Sequence, residues 1–319
     1  MARTRTLTAA LIIVALPTLL AAQSPRTFRS RTELVTVGVA VQDDADHYVL
    51  GLTADQFEVI EDGVRQDIRF FGAGELPLDL LLMLDVSGSM RSSLPLVQKA
   101  AAGFARTMRP EDRMSVMSIS DGLQVLQPLT GETALVERAI QHLRAQGKTP
   151  LYAALYVALG QLRQERARYA QPRRQAIVVL SDGRDTASSV GFDDLMDAAR
   201  RGGVPIYAIA PRPPADVRAR RERLGLDTLQ SLDFDLRALA RDTGGRAFFP
   251  TAAADLEGVY ADIANELAHQ YSVGYESSNA ARDGRFRQVE IRVAVSGVRW
   301  RNRPGYQAAG TAAMTDFSR

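Results

Sequence analysis

The sequence lacks cysteine entirely and contains only three histidines in 319 residues. Without cysteine the fold can hold neither a disulfide nor a thiolate metal site, so burial of its core must stabilise it. His47, His142 and His269 are scattered along the chain, and none has a metal-binding partner at a useful spacing. We therefore expect surface histidines and no zinc centre built on them.

Long apolar runs are also missing, except near the first residue. Arg3 and Arg5 precede an apolar run from Leu7 to Leu20, which ends in Ala21-Ala22-Gln23. The run is shorter than the about 20 residues that a membrane-spanning helix needs. The pattern predicts a cleaved signal peptide over residues 1–22 and export to the periplasm or beyond the cell, with a membrane anchor as the alternative. After cleavage we expect no membrane span.

The chain has no excess of charge of either sign. Removing Arg3 and Arg5 with the leader reduces the 39 basic residues to 37, which equals the 37 acidic residues. A formally neutral chain gives no support for binding to nucleic acid or to an anionic membrane surface. The partner is therefore expected to be neither.

The two flanks of the chain show β patterns. In residues 30–75, valines at 35, 37, 39 and 41 alternate with small or polar residues, and Asp62-Gly63 separates two further apolar runs as in a hairpin. In residues 271–306, apolar residues alternate again from Val289 to Val295. Neither flank has enough strands to be stable alone, so we predict that they pack together as one small β-sandwich. Residues 307–319 are expected to form a frayed tail.

Between the flanks, residues 76–270 alternate between strand and helix patterns. Leu78 to Leu84 is a nearly continuous apolar run, typical of a central strand covered on both faces. A short helix is expected at Leu236–Ala240. The alternation predicts an α/β domain with a doubly wound, mostly parallel sheet and right-handed crossovers.

Oxygen-bearing side chains occur where three of the predicted elements meet. Asp85, Ser87 and Ser89 follow the first buried strand, Thr149 immediately precedes a helix, and Asp182 ends another buried strand. Because ligand groups collect at the carboxyl ends of strands in an open α/β sheet, we expect these five side chains to converge. Two carboxylates and three hydroxyls suit Mg²⁺, Ca²⁺ or Mn²⁺ and disfavour Zn²⁺.

Each segment also has a simpler interpretation. Asp85 is a common turn residue, Thr149 before a helix is often an N-cap, and Asp182-Gly183 alone would be a turn. Asp121 and Asp185 are expected on the same edge of the sheet, and we interpret both as solvated loop residues.

Taken together, Asp85-Val86-Ser87-Gly88-Ser89, the later Thr149 and Asp182-Gly183 resemble the metal-ion-dependent adhesion site (MIDAS) of von Willebrand factor A (VWA) domains. The resemblance covers about residues 76–270 and implies the Rossmann-like VWA fold. It further implies that Ser87, Ser89 and Thr149 contact the ion directly, while the two aspartates often act through water. The β flanks resemble those of bacterial secreted VWA-domain proteins.

The resemblance implies a binding module and not an enzyme. An acidic residue of an unidentified protein or peptide would replace a water on the ion. A metal-dependent hydrolase is one alternative, but Ser87 stands where a phosphotransfer site of the haloacid dehalogenase type needs a second aspartate. Gly147-Lys148-Thr149 also lacks the earlier glycine of a phosphate-binding loop. A structural protein whose metal only stabilises the fold is the other alternative.

Overall fold

The computed structural model describes residues 34–74, 76–168, 172–181, 185, 187–212 and 229–310. The predicted signal peptide, Asp182 and residues 311–319 of the predicted tail lie outside this part of the chain. The helices are α1 (Leu94–Ala105), α2 (Thr133–Gln141), α3 (Leu151–Arg168), α4 (Phe192–Gly202), α5 (Leu229–Thr243) and α6 (Leu256–His269). The strands are β1 (Leu34–Asp43), β2 (Phe57–Glu61), β3 (Val64–Gln66), β4 (Ile68–Ala73), β5 (Leu78–Asp85), β6 (Arg113–Ile119), β7 (Leu123–Thr130), β8 (Arg174–Leu180), β9 (Ile206–Ile209), β10 (Ala247–Phe248), β11 (Tyr271–Glu276), β12 (Phe286–Val293), β13 (Val298–Arg301) and β14 (Gly305–Gln307).

The middle of the chain forms a six-stranded sheet in the order β10-β9-β8-β5-β6-β7. All neighbours are parallel except β7, which runs antiparallel to β6. All eight residues of β5 are buried. Its side chains alternate between two apolar clusters: Leu80 and Leu82 pack with α1, α2 and α6, while Leu81 and Met83 pack with α3, α4 and α5. Helices therefore cover both faces, and the predicted doubly wound α/β fold is confirmed.

The chain reverses direction across the sheet at β5. From β5 it passes through α1 to β6 on one side, and it later passes through α3 to β8 on the other side. Such a switch point leaves a crevice at the carboxyl ends of the strands, where open α/β sheets hold their ligands. Asp85, the last residue of β5, lies at that crevice.

The two flanks form a pair of four-stranded antiparallel sheets, β13-β1-β11-β4 and β14-β12-β2-β3. Each sheet mixes N-terminal and C-terminal strands, and their facing side chains, among them Val37, Val59, Val273 and Ile291, share one buried cluster. The predicted small β-sandwich is confirmed as part of the fold. Its last strand reaches Gln307, one residue into the segment predicted to be a frayed tail, because β14 pairs with β12.

Two further details concern the helices. The prediction of a short helix at Leu236–Ala240 is wrong in length, because α5 begins seven residues earlier, at Leu229. Leu229 and Leu232 continue the apolar spacing of Leu236 backwards, so the signal was in the sequence. Among the described residues, no helix combines the length and apolar character needed to cross a bilayer.

A buried carboxylate on α6 connects the sandwich to the α/β domain. Glu266 is only 1% exposed. Its Oε1 accepts hydrogen bonds from the Tyr207 hydroxyl on β9, at 2.8 Å, and from the Arg301 guanidinium on β13. Its Oε2 accepts a hydrogen bond from the Tyr48 hydroxyl at 3.3 Å and lies 3.6 Å from a guanidinium nitrogen of Arg246. Two guanidinium groups and two hydroxyls from separate stretches of the chain thus meet at one buried carboxylate.

The turn between β2 and β3 permits a test of backbone strain. Asp62 and Gly63 have φ angles of 47° and 83°, which is the positive-φ geometry of a two-residue type I′ hairpin turn. Gly63→Ala should lower the free energy of unfolding in urea by about 1 kcal/mol, because a Cβ is disfavoured at that φ. Gly258→Ala, in an open part of α6, should instead raise it by about 0.5–1 kcal/mol. Equal effects of the two substitutions would contradict this assignment.

Candidate functional site

Three strands of the central sheet end together at the switch point. Leu84 pairs with Leu180 on β8, and Asp85 pairs with Ile119 on β6. Ser181, the residue after Leu180, therefore lies beside Asp85. The backbone continues the alignment one residue further, because the Val86 amide donates to the Ile119 carbonyl at 3.1 Å.

The Asp85 carboxylate is fully buried and accepts four hydrogen bonds. Its Oδ1 accepts the Ser87 backbone amide at 2.8 Å. The Thr149 hydroxyl donates to both carboxylate oxygens, at 3.3 and 3.2 Å. The Ser181 hydroxyl donates to Oδ2 at 2.6 Å. The carboxylate of Asp85 therefore connects its own loop with the distant residues Thr149 and Ser181.

Backbone hydrogen bonds hold the loop after β5 against the loop before α3. The Gly88 amide donates to the Gly147 carbonyl at 3.3 Å, and the Gln146 amide donates to the Val86 carbonyl at 2.6 Å. Between these contacts the Ser87 and Ser89 hydroxyls lie 2.9 Å apart. Ser87 and Thr149 are buried, whereas Ser89 is exposed. We call the hydroxyls of Ser87, Ser89, Thr149 and Ser181 the hydroxyl cluster. Three of its members are buried, and Ser89 lies at the surface.

Four of the five predicted site residues come together in this way: Asp85, Ser87, Ser89 and Thr149. Asp182 lies outside the described residues. The role of all five as metal ligands stays a prediction, as do Asp182's contacts.

Asp121 and Asp185 do more than the sequence interpretation allowed. The Asp121 carboxylate accepts the Lys148 backbone amide at 2.9 Å, and its backbone amide donates to the Lys148 carbonyl at 2.9 Å. The Asp185 carboxylate accepts the Tyr152 amide in the first turn of α3 at 3.0 Å and the Ser188 amide of its own loop at 2.8 Å. Asp121 is exposed and Asp185 is half-buried, both in loops as interpreted, and their hydrogen bonds additionally fix loops that carry the hydroxyl cluster.

The electrostatics of the cluster fit a cation. Within the described ranges, no Lys, Arg or His side chain forms an ion pair with Asp85, and its carboxylate is held only by an amide and by neutral hydroxyls. A buried charge without a charged partner is expensive, and a bound cation would compensate it. Donors that are all oxygen suit a hard ion such as Mg²⁺, Ca²⁺ or Mn²⁺. No group of three or more His, Cys, Asp or Glu side chains suited to a metal occurs among the described residues, and the described donors here are Asp85 and the hydroxyls around it.

The comparisons with known proteins agree with this architecture. Residues 80–184 match the sequence profile of the von Willebrand factor type A domain. The chain contains a VWA domain. The solved von Willebrand factor type A structure from Catenulispora acidiphila superposes with a TM-score of 0.50 at 12% identity, covering 90% of this chain and 76% of that one. At this identity the likeness concerns the fold alone.

The chain is also similar, at 25% identity or less, to two relatives and to a further solved structure. A UPF0353 protein of Mycobacterium marinum is 24% identical over 249 residues, which cover 72% of this chain and 69% of that protein. A UPF0353 protein of Mycolicibacterium paratuberculosis is 25% identical over 62% of this chain, and the match spans 61% of its own length, less than two thirds. A mussel byssus protein, proximal thread matrix protein 1, has zinc in its MIDAS motif; it has a TM-score of 0.48 at 15% identity and covers 65% of this chain and 49% of its own. VWA domains are typical of protein-interaction and adhesion modules.

One residue of the cluster was missed in the sequence. Ser181 is 2% exposed and makes the shortest of the hydrogen bonds to Asp85. The available signal was its position as the first residue after the buried strand β8, immediately before Asp182. Serine is too common at strand ends for that position alone to identify it.

A tyrosine near the start of α3 supports the same edge of the VWA domain. The Tyr152 hydroxyl donates to Asp235 on α5 at 2.6 Å, and its ring packs against Phe192 on α4. Burial, followed by the hydrogen bond to Asp235, raises the pKa of the Tyr152 hydroxyl above its usual range. Tyr152 is therefore a neutral donor that holds α3 against its neighbours, as its hydrogen bond to Asp235 and its contact with Phe192 show.

Proposed function

We propose that this protein is a metal-dependent binding module that recognises an acidic residue of a protein or peptide partner through a divalent cation. Asp85, Ser87, Ser89 and Thr149, with Asp182 as predicted from the sequence, would hold the ion. When bound, the ion supplies a positively charged centre with an exchangeable coordination position. The chain's own residues orient and bury the donors.

The observation that carries the proposal is the state of Asp85. A fully buried carboxylate, surrounded by hydroxyls and without a cationic partner among the described residues, is a poor arrangement for stability alone. Mg²⁺ is the ion we favour because it binds few charged ligands and keeps several waters, one of which a partner carboxylate can replace.

Binding is favoured over catalysis by the surroundings of Ser87. The Ser87 hydroxyl lies 2.9 Å from the Ser89 hydroxyl, and among the described residues the Asp85 carboxylate accepts the Ser87 amide and not its hydroxyl. A serine nucleophile needs a base within hydrogen-bond reach of its hydroxyl. We therefore propose that the protein is not an enzyme.

We also propose that the module acts outside the cytoplasm. The support is the pattern of residues 1–22, a basic start followed by a short apolar run and small residues. The absence of cysteine from the chain is compatible with an oxidising compartment, because no thiol can mispair there.

The experiment that tests the function uses the protein without residues 1–22 as bait in a native envelope fraction. Capture in millimolar Mg²⁺ should be lost in EDTA and should be competed by a glutamate-containing peptide. An Asp85→Asn bait should capture nothing above background in either condition. A partner that binds equally in Mg²⁺ and in EDTA would contradict the proposal. Phosphoester hydrolysis that needs Mg²⁺ and Asp85 would instead support an enzyme.

Ser181 allows a finer test of the same site. Ser181→Ala removes the 2.6 Å hydrogen bond to Asp85, so the carboxylate loses one of its orienting donors. The affinity for Mg²⁺, measured by calorimetric titration, should fall by about tenfold. Ser115→Ala is the matched control, because Ser115 is equally buried and donates to the Gln127 carbonyl at 2.8 Å on the neighbouring strands. A comparable loss of Mg²⁺ affinity in the control would show that the effect is not local to the site.

A further inference from the structure

Two basic residues stand next to members of the hydroxyl cluster in the sequence. Arg91 lies two residues after Ser89, and Lys148 immediately precedes Thr149. Both residues are exposed, and within the described ranges neither side chain makes an ion pair or a hydrogen bond. The two loops that carry them are joined by the hydrogen bond from the Gly88 amide to the Gly147 carbonyl. We call Arg91 and Lys148 the basic rim.

At the opposite end of the sheet, three arginines form ion pairs within the chain. Arg113 and Arg173 both bind the buried Asp79 carboxylate, at 2.6 and 2.7 Å. Arg109 binds Asp112 at 3.0 Å. At the amino ends of the strands, these charges are neutralised within the chain. At the carboxyl ends, the charges of the basic rim are left for solvent or for a partner.

The described acidic groups on the loops of this edge form no ion pair with the basic rim. Asp121 accepts the Lys148 backbone amide, so it is held by the main chain and not by the ammonium group. Asp185 accepts the amides of Tyr152, Ala187 and Ser188. Asp85 is buried and faces the hydroxyls. Each nearby described carboxylate therefore has a structural task within the loops.

We propose that the partner segment is an acidic peptide with at least two acidic side chains, of which one binds the cation and the others pair with Arg91 and Lys148. This inference rests on the proposed function and adds the charge pattern of the partner. Two cations beside a divalent ion repel one another and the ion, and an anionic segment relieves that repulsion. A rim of this kind increases the rate of encounter and selects among partners more than it adds contact area.

The test uses two labelled six-residue peptides and fluorescence anisotropy in millimolar Mg²⁺. One probe is hexaglutamate, and the other has a single glutamate among glycines and serines. Hexaglutamate should bind the wild-type protein about fivefold more tightly than the single-glutamate peptide. The R91E/K148E variant should bind both peptides with the same weak affinity, and added salt should remove the preference of the wild type.

The control variant is R201E/R282E, which makes the same change in net charge at two exposed arginines, one at the end of α4 and one in the sandwich. It should keep the preference for hexaglutamate within about twofold of the wild type. Equal loss in both variants would overturn the inference in favour of a general charge effect. A third outcome is that the wild type binds both peptides with equal affinity in Mg²⁺ and binds neither in EDTA. That result would overturn the role of the basic rim and leave the proposed function standing. If neither peptide binds while Mg²⁺ still raises the melting temperature, carboxylate recognition itself fails, and the rim with it.

Discussion

Replacement of Asp85 by asparagine should weaken Mg²⁺ binding by at least about 100-fold, a larger loss than changes in surrounding residues typically produce. The reason is that Asp85 is the one described carboxylate at the centre of the hydroxyl cluster. Mg²⁺ at about 100 times its dissociation constant should stabilise the wild type by about 2.7 kcal/mol. The variant should lose this stabilisation. Thermal unfolding of the wild type and of the variant, in Mg²⁺ and in EDTA, measures this stabilisation and its loss.

The same substitution should not lower the melting temperature when the protein is in EDTA. Without a cation, Asp85 is a buried charge with neutral partners, and asparagine removes that charge while keeping the shape. Asp85→Asn should therefore melt at an equal or higher temperature than the wild type in EDTA, and at a lower temperature in saturating Mg²⁺.

Asp79→Asn is the matched control for this sign change. Asp79 is also buried on β5, but it forms ion pairs with Arg113 and Arg173. Its replacement should destabilise the protein to the same extent in Mg²⁺ and in EDTA, because it leaves two cations without their carboxylate. If Asp85→Asn behaved in the same way, Asp85 would be a structural residue and the cation site would be wrong.

Replacement of Glu266 by glutamine should lower the free energy of unfolding by about 3–5 kcal/mol. Glu266 is buried where α6 meets β9 and the sandwich. In the variant, Arg301 and Arg246 would no longer have a carboxylate as their ion-pair partner. Breaking a buried ion pair from one side is costly because the remaining cations stay desolvated. Urea denaturation measures the loss.

Two comparisons make the Glu266 prediction specific. Glu257, on the same helix, pairs with Lys99 at 2.8 Å, but both side chains are more than half exposed. Glu257→Gln should therefore change the free energy of unfolding by less than about 1 kcal/mol. The Mg²⁺ affinity of folded Glu266→Gln should equal that of the wild type, because Glu266 has no contact with the hydroxyl cluster. A loss of less than about 1 kcal/mol in Glu266→Gln would contradict the assignment. So would a lower Mg²⁺ affinity of its folded state.

The fold could be predicted because its signals are local and repeated. The period of the apolar residues separates the buried run of β5 from the alternating strands of β1 and β12. Asp62-Gly63 marks a hairpin because few other residues accept two consecutive positive φ angles. The length of α5 was underestimated, since the ends of a helix are less clearly marked than its middle.

Part of the candidate site could be predicted for a different reason. Asp85, Ser87 and Ser89 are close in sequence. Because they follow a buried strand, the sequence already predicts that they lie at the carboxyl edge of the sheet. Thr149 could be added because it follows a loop that returns to the same edge. Ser181, by contrast, is assigned only by the pairing of β8 with β5, across 96 residues of sequence from Asp85.

What the sequence determined by itself is therefore the order of the elements, the α/β class and the donor types at the strand ends, because periodicity and turn chemistry act over a few residues. The tertiary structure alone decided which distant groups meet: Ser181 with Asp85, Asp121 with Lys148, and Glu266 with Arg301. Within the part of the chain that the structure describes, it also decided which cations form no ion pair, as at Arg91 and Lys148. Electrostatic and hydrogen-bonding partners are chosen by distance in space, and separation along the chain does not encode that distance.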